Sequence, residues 1–382
     1  MRQIAVDAQA QTATVGGGAT AREVIAAAAP HGLVAATGTC GDVGTAGLTM
    51  AVGYGPLNGR FGLALDNLVS AEVVLADGRL VTTDAKHEPE LFWAVRGGGG
   101  NFGVVTSIRI RLHPVHHLLA GFIMFPWPQA AGVWEGLSAV LADAPDELTV
   151  QSGIQPRLDD SPLVVLSPAW SGDPAPGHKA IDQLVRLGTP VLSHVAPRTY
   201  ADMLRLFDAS VVDGRHYAIR TRSVADFTPG VIAALAQAGT ALTSRPSIVS
   251  IHHFHGAAAR IAPSATAFGI RRKHFTVEIV AAREPDDTYG ARHRAWADSL
   301  SAALAPHALP GCYPGMLGPD DHDQITRAYS WNTERLRAAK ARFDPSGIFS
   351  ATPLPPAANR VLTYPGRQYT EAAGTVQRST HD

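Results

Sequence analysis

The sequence predicts an α+β protein with two domains, and three observations support that prediction. Glycine is concentrated in the first third of the chain, above all in residues 38–67. Beyond residues 113–119 the glycine tracts end, and strand-like runs alternate with helix-like runs up to about residue 309, a pattern typical of an antiparallel sheet covered by helices. The 382 residues also suffice for two domains with a large core.

Composition excludes several classes of function. Hydrophobic residues make up 46% of the chain and charged residues 17%, as in soluble globular proteins. The net charge of -1 favours neither nucleic acid nor an acidic membrane surface. No apolar run approaches the ~20 residues of a membrane helix, and no signal peptide opens the chain, so we expect a cytoplasmic location. Cys40 and Cys312 do not form a disulfide framework.

Local signals define the elements of the first third. Thr20 and Glu23 form a Ser/Thr-x-x-Glu capping box, which predicts a helix over residues 24–29 that Pro30 ends. Asp77-Gly78 joins two β-branched runs and predicts a hairpin. The other predicted elements are strands at residues 2–7, 11–18, 33–36 and 104–114 and a short helix at 88–97.

The middle of the chain predicts a sheet with helices on one face. Its strand-like runs lie at residues 121–125, 163–170, 217–222, 248–255 and 274–281. Its helix-like runs lie at residues 130–142, 178–187, 200–207, 229–238 and 289–304. A last long helix is predicted over residues 320–342, with Asp320 as N-cap. The polar tail after Pro356 is predicted to be poorly ordered.

The glycine tract at residues 38–67 is the strongest candidate for a binding site. Glycine lets the backbone approach a ligand closely, and a long tract with few charges predicts a wall of N–H groups around a large, partly anionic ligand. An ordinary glycine-rich loop remains the alternative. Cys40 within it is either a small core residue or, if its thiolate is stabilised, a nucleophile or covalent tether.

Two other motifs carry weaker signals. The glycines of GGGGNFG (residues 97–103) follow a predicted helix and precede a strand, whereas a dinucleotide-binding turn runs from strand to glycines to helix. That order argues against a Rossmann site. His252, His253 and His255 lie in one predicted strand, with His253 and His255 on one face. Two histidines without a third ligand predict core or cleft residues and no metal site.

Three segments together resemble the berberine bridge enzyme-like flavoproteins, which have the FAD-binding fold of p-cresol methylhydroxylase and vanillyl-alcohol oxidase. The first is GTC followed by VGTAGLTMAVGYGPLNGRFGLALDNL, within residues 38–68. The second is ADGRLVTT with EPELFWAVRGGGGNFGVVT, within residues 76–106. The third is YSWN followed by ERLRAAKARFDPSGIF, within residues 329–349.

The resemblance implies a split FAD-binding domain of the vanillyl-alcohol oxidase type that encloses an inserted antiparallel-sheet substrate domain. We expect the FAD-binding domain at residues 1–116, without an upstream subdomain, and the substrate domain at residues 117–309. The chain would return to the FAD-binding domain at residues 310–356 and end in a tail at residues 357–382.

The resemblance also implies the site. FAD would lie along the tract, near Val104 at its adenine end and near Asn332, whose alternative is a solvated helix face. The cofactor-binding residues expected from the tract are Gly38, Cys40, Gly41, Val43, Gly44, Gly47, Gly53, Tyr54 and Gly55. Cys40 matches the position that bonds the flavin C6 in many members. Tyr313 matches a position where a phenolate serves as base, or is a packing aromatic; His253 and His255 are weaker candidates for the substrate face.

Three departures from the family pattern stand out. Ala51 and Val52 replace two glycines before Gly53, which predicts crowding of the cofactor. Gly315 stands where an asparagine would contact the flavin. The family's upstream Arg-x-Gly-Gly-His motif, whose histidine bonds the flavin 8α-methyl, does not occur in this sequence. We therefore expect either a start recorded at an internal methionine or a truncated form.

The predicted function is that of an FAD-dependent oxidase. A base would take a proton from a small alcohol, amine or sugar-like substrate while hydride passes to the flavin, with O2 as acceptor; the cofactor supplies the chemistry and the protein positions it. Neither nucleic acid nor a membrane is an expected partner. The alternative is a truncated, non-catalytic remnant that binds FAD weakly or not at all. The sequence does not identify the substrate.

Overall fold

The computed structural model describes residues 1–157, 159–208, 212–318 and 320–355. Beyond them it describes the backbone of four two-residue strands in the tail, at Thr363–Tyr364, Arg367–Gln368, Glu371–Ala372 and Thr375–Val376. The rest of the tail, on which a prediction of poor order was made, lies outside the described residues. No helix in the described part of the chain is long and apolar enough to cross a membrane.

The first sheet has six antiparallel strands in the order β1-β2-β6-β4-β5, with β3 paired to the far end of β6. The strands are β1 (Ile4–Asp7), β2 (Thr12–Gly16), β3 (Leu33–Ala35), β4 (Leu68–Val74), β5 (Leu80–Thr83) and β6 (Val104–Pro114). Ile108, Ile110 and Leu112 of β6 are buried, which confirms the predicted alternation. The sheet thus turns its apolar side chains toward one core.

Four helices accompany this sheet: α1 (Ala21–Ala28), α2 (Thr45–Ala51), α3 (Asn58–Phe61) and α4 (Pro89–Val95). The capping box of α1 is present, since the Thr20 hydroxyl accepts from the Glu23 N–H and the Thr20 N–H donates to the Glu23 carboxylate. Helix α2 was not predicted from the glycine tract. It forms because Ala46, Thr49 and Met50 on one face are buried.

The second sheet has seven antiparallel strands in the order β10-β7-β9-β8-β12-β13-β11. They are β7 (Leu118–Pro126), β8 (Leu148–Pro156), β9 (Pro162–Trp170), β10 (Leu192–Arg198), β11 (His216–Val224), β12 (Ile248–Phe254) and β13 (His274–Arg283). The sequence missed β8 and β10. The antiparallel sheet predicted for this part of the chain is confirmed.

The helices of the second half are α5 (Ala130–Ala142), α6 (Pro174–Val185), α7 (Tyr200–Arg205), α8 (Pro229–Thr240), α9 (Gly256–Arg260) and α10 (Gly290–Leu304). Helices α5, α6, α8 and α10 share a core with one face of the second sheet, including Val150, Ile251 and Val277. The other face carries polar side chains, as described below. The α+β fold class is therefore confirmed.

The predicted helix over residues 320–342 is wrong, because the chain is interrupted in the middle. A short helix, α11 (His322–Ile325), is separated from α12 (Thr333–Phe343) by a break at Ser330, which has a φ of 48°. Asp321 and not Asp320 precedes α11. Leu336 and Phe343 of α12 lie in the core of the first sheet, so the end of the chain packs against its beginning.

Candidate active site

The loop at residues 39–43, between β3 and α2, is held in place by α1. The Ala21 N–H donates to the Val43 carbonyl (3.0 Å) and the Arg22 N–H donates to the Gly41 carbonyl (2.8 Å). Among the described residues, the N–H groups of the loop itself donate to no protein acceptor. The loop therefore turns carbonyls toward α1 and keeps a run of N–H donors available.

Open space borders this loop and the helix that follows it. Cys40 is a free cysteine and is partly exposed, and Val43 is 39% exposed. A Cβ added at Gly44 or Gly47 would have no heavy atom within 4 Å. The predicted cofactor residues in this part of the tract thus share one accessible edge.

Gly38 and Gly41 lie on the buried side of the same loop. A Cβ at Gly38 would meet the Leu48 side chain at 3.3 Å, and a Cβ at Gly41 would meet the Arg22 guanidinium at 3.1 Å. Arg22 in turn pairs with Asp42 (3.1 Å). These two glycines let the loop lie close to its protein neighbours.

Gly53 and Gly55 are required by the packing of the protein itself. Gly53 has a φ of 79°, and its Cβ would lie 2.3 Å from the Ala64 Cβ. A Cβ at Gly55 would lie 1.7 Å from the Thr37 carbonyl oxygen. Val52, whose bulk was expected to crowd the cofactor, is fully buried in an apolar cluster with Leu63. The valine that replaces a family glycine here therefore packs into the hydrophobic core.

Tyr54 is buried where the two sheets meet. Its hydroxyl lies 2.9 Å from the His274 Nε2 and accepts from the Thr276 hydroxyl (3.1 Å). His274 Nδ1 lies 2.7 Å from the Arg272 carbonyl, so Nδ1 carries the proton and Nε2 accepts from Tyr54. Burial raises the pKa of Tyr54 and lowers the pKa of His274 to about 4. Both groups are neutral at physiological pH.

Tyr313 packs against Tyr54, with ring centroids 4.9 Å apart. Its hydroxyl accepts a hydrogen bond from the Gly53 N–H (3.0 Å). The pKa of Tyr313 is raised to about 12, chiefly by burial; the Gly53 hydrogen bond opposes this rise and the Glu278 carboxylate adds to it. The structure thus brings Tyr313 to the glycine tract but favours its protonated form.

A row of largely buried polar side chains crosses the face of the second sheet that its helices leave uncovered, on the same side as Tyr54. The Gln151 amide nitrogen donates to Ser250 Oγ (2.6 Å), Ser250 Oγ lies 3.2 Å from His252 Nε2, and His252 Nε2 lies 3.3 Å from Glu278 Oε2. Gln151 is on the unpredicted strand β8 and Glu278 on β13. Sequence reasoning missed Glu278 and Gln151 because only pairing of these strands brings them together.

The other two histidines of the HHFH motif lie in the interior. The His253 and His255 rings stack with centroids 3.9 Å apart, and both residues are buried. Burial lowers the pKa of His255 to about 4 and that of His253 further below its usual value. The predicted faces are confirmed, but His252 is the histidine that shares the polar row. No cluster suited to a metal ion occurs among the described residues.

Asn332 and Val104 lie in different environments. The Asn332 amide donates to the carbonyls of Pro263 (2.8 Å) and Thr266 (3.0 Å), so it is buried and not on a solvated helix face. Val104 opens β6 and is 50% exposed. The cofactor roles of Asn332 and Val104 remain predictions.

The GGGGNFG motif joins the end of the chain to the first sheet. Asn101 donates to the carbonyls of Gly98 (2.8 Å) and Thr352 (2.9 Å), and Lys340 donates to the Asn101 carbonyl (2.8 Å). A Cβ at Gly99 would lie 2.3 Å from the Thr352 hydroxyl. Gly99 and Asn101 therefore serve packing contacts with the end of the chain.

One feature of the glycine tract suits FAD: within the described residues, its loop has free backbone N–H groups next to open space. Unbonded N–H donors at residues 39–43 stand beside open space at Gly44 and Gly47, the arrangement that suits a pyrophosphate or a polar flavin edge. Cys40 lies within the same loop. Gly53 and Gly55 instead use their backbone for protein contacts.

Comparison with known proteins identifies FAD-linked relatives of this chain. Residues 1–84 match the sequence model of a family described as FAD binding domain. The FAD-linked oxidoreductase aurO of Gibberella zeae is 31% identical over 350 residues, which cover 89% of this chain and 67% of that protein. The (R)-6-hydroxynicotine oxidase of Paenarthrobacter nicotinovorans is 34% identical over 211 residues, which cover 54% of this chain and 46% of the oxidase.

Solved structures share the fold. The 6-hydroxy-D-nicotine oxidase of Arthrobacter nicotinovorans superposes with a TM-score of 0.83 at 26% identity, over 93% of this chain and 80% of that one. Berberine bridge enzyme from Eschscholzia californica superposes with a TM-score of 0.80 at 20% identity, over 94% and 80% of the two chains. The glycine tract, the two sheets and these relatives agree: the chain belongs to the FAD-linked oxidoreductases and shares the fold of berberine bridge enzyme.

Proposed function

We propose that the chain is an FAD-dependent oxidase that takes hydride from a small alcohol, amine or sugar-like substrate and uses O2 as acceptor. The observation that carries this proposal is the meeting of the glycine tract, through Tyr54 and Tyr313, with the polar row on the second sheet. One side offers backbone donors for a cofactor, and the other offers proton-accepting groups for a substrate.

FAD when bound supplies the hydride acceptor, and the protein supplies position and proton transfer. The N–H groups at residues 39–43 would hold it, with Cys40 as the proposed covalent tether. Residues 1–116 and 310–356 would form the cofactor domain, and residues 117–309 would face the substrate.

The proton of the substrate requires an acceptor at neutral pH. Because the pKa of Tyr313 is raised to about 12, its phenolate is scarce at pH 7. Glu278, held by His252 at 3.3 Å, is an anionic acceptor on the same side of the sheet. We therefore propose that Glu278 accepts the proton of the substrate. Tyr313 accepts a hydrogen bond from the Gly53 N–H and orients the substrate by donating its own O–H.

The visible spectrum of the purified chain tests the proposal. We expect a yellow protein whose flavin is reduced by substrate under argon and reoxidised by O2, with consumption of O2 measured at an electrode. After acid precipitation, colour in the pellet that is lost in Cys40→Ala would support the tether, whereas a yellow supernatant would indicate non-covalent FAD. A colourless, folded protein would overturn the oxidase proposal.

A further inference from the structure

The space between the glycine tract and the second sheet contains a small cavity of about 20 Å³. Met203 and Phe207 form its apolar side. Its polar side chains come from α3 and the second sheet, and they include Asn58, Thr149, Gln151 and Ser167. A volume of this size holds one water-sized group and no more. The cavity can therefore receive a single polar group of a ligand, while the rest of that ligand stays outside.

Most polar groups of this cavity already have protein partners. Asn58 donates to the His253 carbonyl (2.9 Å), and Thr149 lies 3.4 Å from the Asn58 amide oxygen. Ser167 donates to the Gly121 carbonyl (3.1 Å). These three groups are held by the protein and are less available to a ligand.

Gln151 differs from them. Its amide nitrogen donates to Ser250 Oγ at 2.6 Å, which fixes the direction of the amide. Its amide oxygen is buried and has no hydrogen-bond partner among the described residues. A buried acceptor without a partner is costly, so a ligand that donates to it is favoured over one that does not.

We propose that Gln151 determines specificity by accepting a hydrogen bond from a hydroxyl or N–H group of the substrate, which enters this cavity. The inference rests on the proposed oxidase function and narrows its substrates to compounds with a donor next to the reacting carbon. Oxidation would remove two hydrogens, a hydride from the reacting carbon to FAD and the proton of the adjacent O–H or N–H to Glu278. A product ketone would therefore have no donor left for Gln151 and would be released.

A matched pair of probes tests the proposal. 1-Phenylethanol and acetophenone share one carbon skeleton, but only the alcohol donates a hydrogen bond. Their binding to the purified protein is measured under argon by ligand-observed NMR titration. We expect the wild type to prefer the alcohol about fivefold, the effect of one neutral hydrogen bond.

Three variants separate the acceptor from other effects. Gln151→Leu should abolish the preference, and Gln151→Glu, which keeps an acceptor, should retain it. Gln155→Leu is the matched control, because Gln155 points to the same side of β8 and does not line the cavity; it should retain the preference.

An unchanged preference in Gln151→Leu, or a wild type that prefers neither probe, would overturn the role of Gln151. The visible spectrum of the same sample reports FAD separately. A colourless protein that still prefers the alcohol contradicts the oxidase proposal and supports the subsite, so the two failures are distinguishable.

Discussion

Single glycines in the tract serve different purposes, although they look alike in sequence. Gly53 adopts a left-handed conformation and faces the Ala64 Cβ, whereas Gly47 lies in α2 beside open space. A side chain at Gly53 meets both a strained φ and a steric clash. A side chain at Gly47 meets neither, and alanine is the better helix former.

We expect Gly53→Ala to lower the free energy of unfolding by about 2 kcal/mol or more. Gly47→Ala should leave it unchanged or raise it by up to about 1 kcal/mol, while it weakens retention of FAD if that edge holds the cofactor. Urea denaturation of the two variants, with the absorbance of bound flavin as second measurement, tests both statements. Equal stability of the two variants would contradict the conclusion that Gly53 is required for packing and Gly47 is not.

Single substitutions can distinguish the proposed role of Glu278 as proton acceptor from the proposed role of Tyr313 in orienting the substrate. We expect Glu278→Gln to slow flavin reduction by about 100-fold, the effect of losing a general base, and Tyr313→Phe to slow it less. Glu284→Gln, on an exposed residue paired with Arg215, is the control and should have no effect. Stopped-flow spectroscopy under argon gives these rates. A larger effect of Tyr313→Phe would return the role of base to the tyrosine.

At the scale of elements, one buried ion pair joins the end of the glycine tract to the chain before β13. Arg271 forms two hydrogen bonds with the Asp66 carboxylate, at 2.8 and 2.9 Å, and the Asp66 carboxylate also accepts from the Leu63 N–H. Their side chains are 0% and 4% exposed. Removal of one partner from such a pair leaves an uncompensated buried charge.

We expect Asp66→Asn to lower the free energy of unfolding by about 3–5 kcal/mol. Glu90→Gln is a matched control, because Glu90 pairs with Arg335 on the surface with both side chains more than 40% exposed. That change should cost less than about 1 kcal/mol. Chemical denaturation followed by circular dichroism tests the contrast; similar losses in both variants would show that burial does not govern the Asp66 pair.

At the scale of the whole molecule, four buried or half-buried histidines with lowered pKa values couple folding to pH. Burial holds the pKa of His113, His255 and His274 at about 4 and that of His253 well below its usual value. In the unfolded chain these groups titrate near ~6.5. Between pH 6.5 and 4 the unfolded chain therefore binds more protons than the folded one, so stability falls as the pH falls through this range.

We expect the free energy of unfolding to decrease steeply when the pH is lowered from 6.5 to 4.5. His274→Asn should make this decrease smaller by about 2 kcal/mol, since it removes one imidazole whose pKa is lowered by folding. Exposed His31 has no such environment, so His31→Asn should leave the pH dependence unchanged. Denaturation curves at the two pH values provide the measurement. An equal loss of unfolding free energy in wild type and His274→Asn between the two pH values would contradict the role of His274.

Local patterns predicted most of the fold. The capping box at Thr20 and Glu23 and the alternation along β6 were both correct, because each depends on neighbours in sequence. The helix over residues 320–342 failed where Ser330 adopts a left-handed conformation, which lets Asn332 bond to a distant loop. Strand β8 was missed although one partner, β9, follows it directly in the chain; its other partner, β12, lies about a hundred residues further on.

By itself, the sequence indicated the α+β class and the place of the glycine tract, since both depend on local pattern, and it indicated the FAD-linked family through the resemblance of three segments to known flavoproteins. Only the tertiary structure decided which residues share a site. It placed Gln151, His252 and Glu278 in one row and moved His253 and His255 into the core, because strand pairing sets which side chains become neighbours. It also decided that Gly53 and Val52 serve the packing of the protein, since only a folded backbone shows what lies within reach of a Cβ.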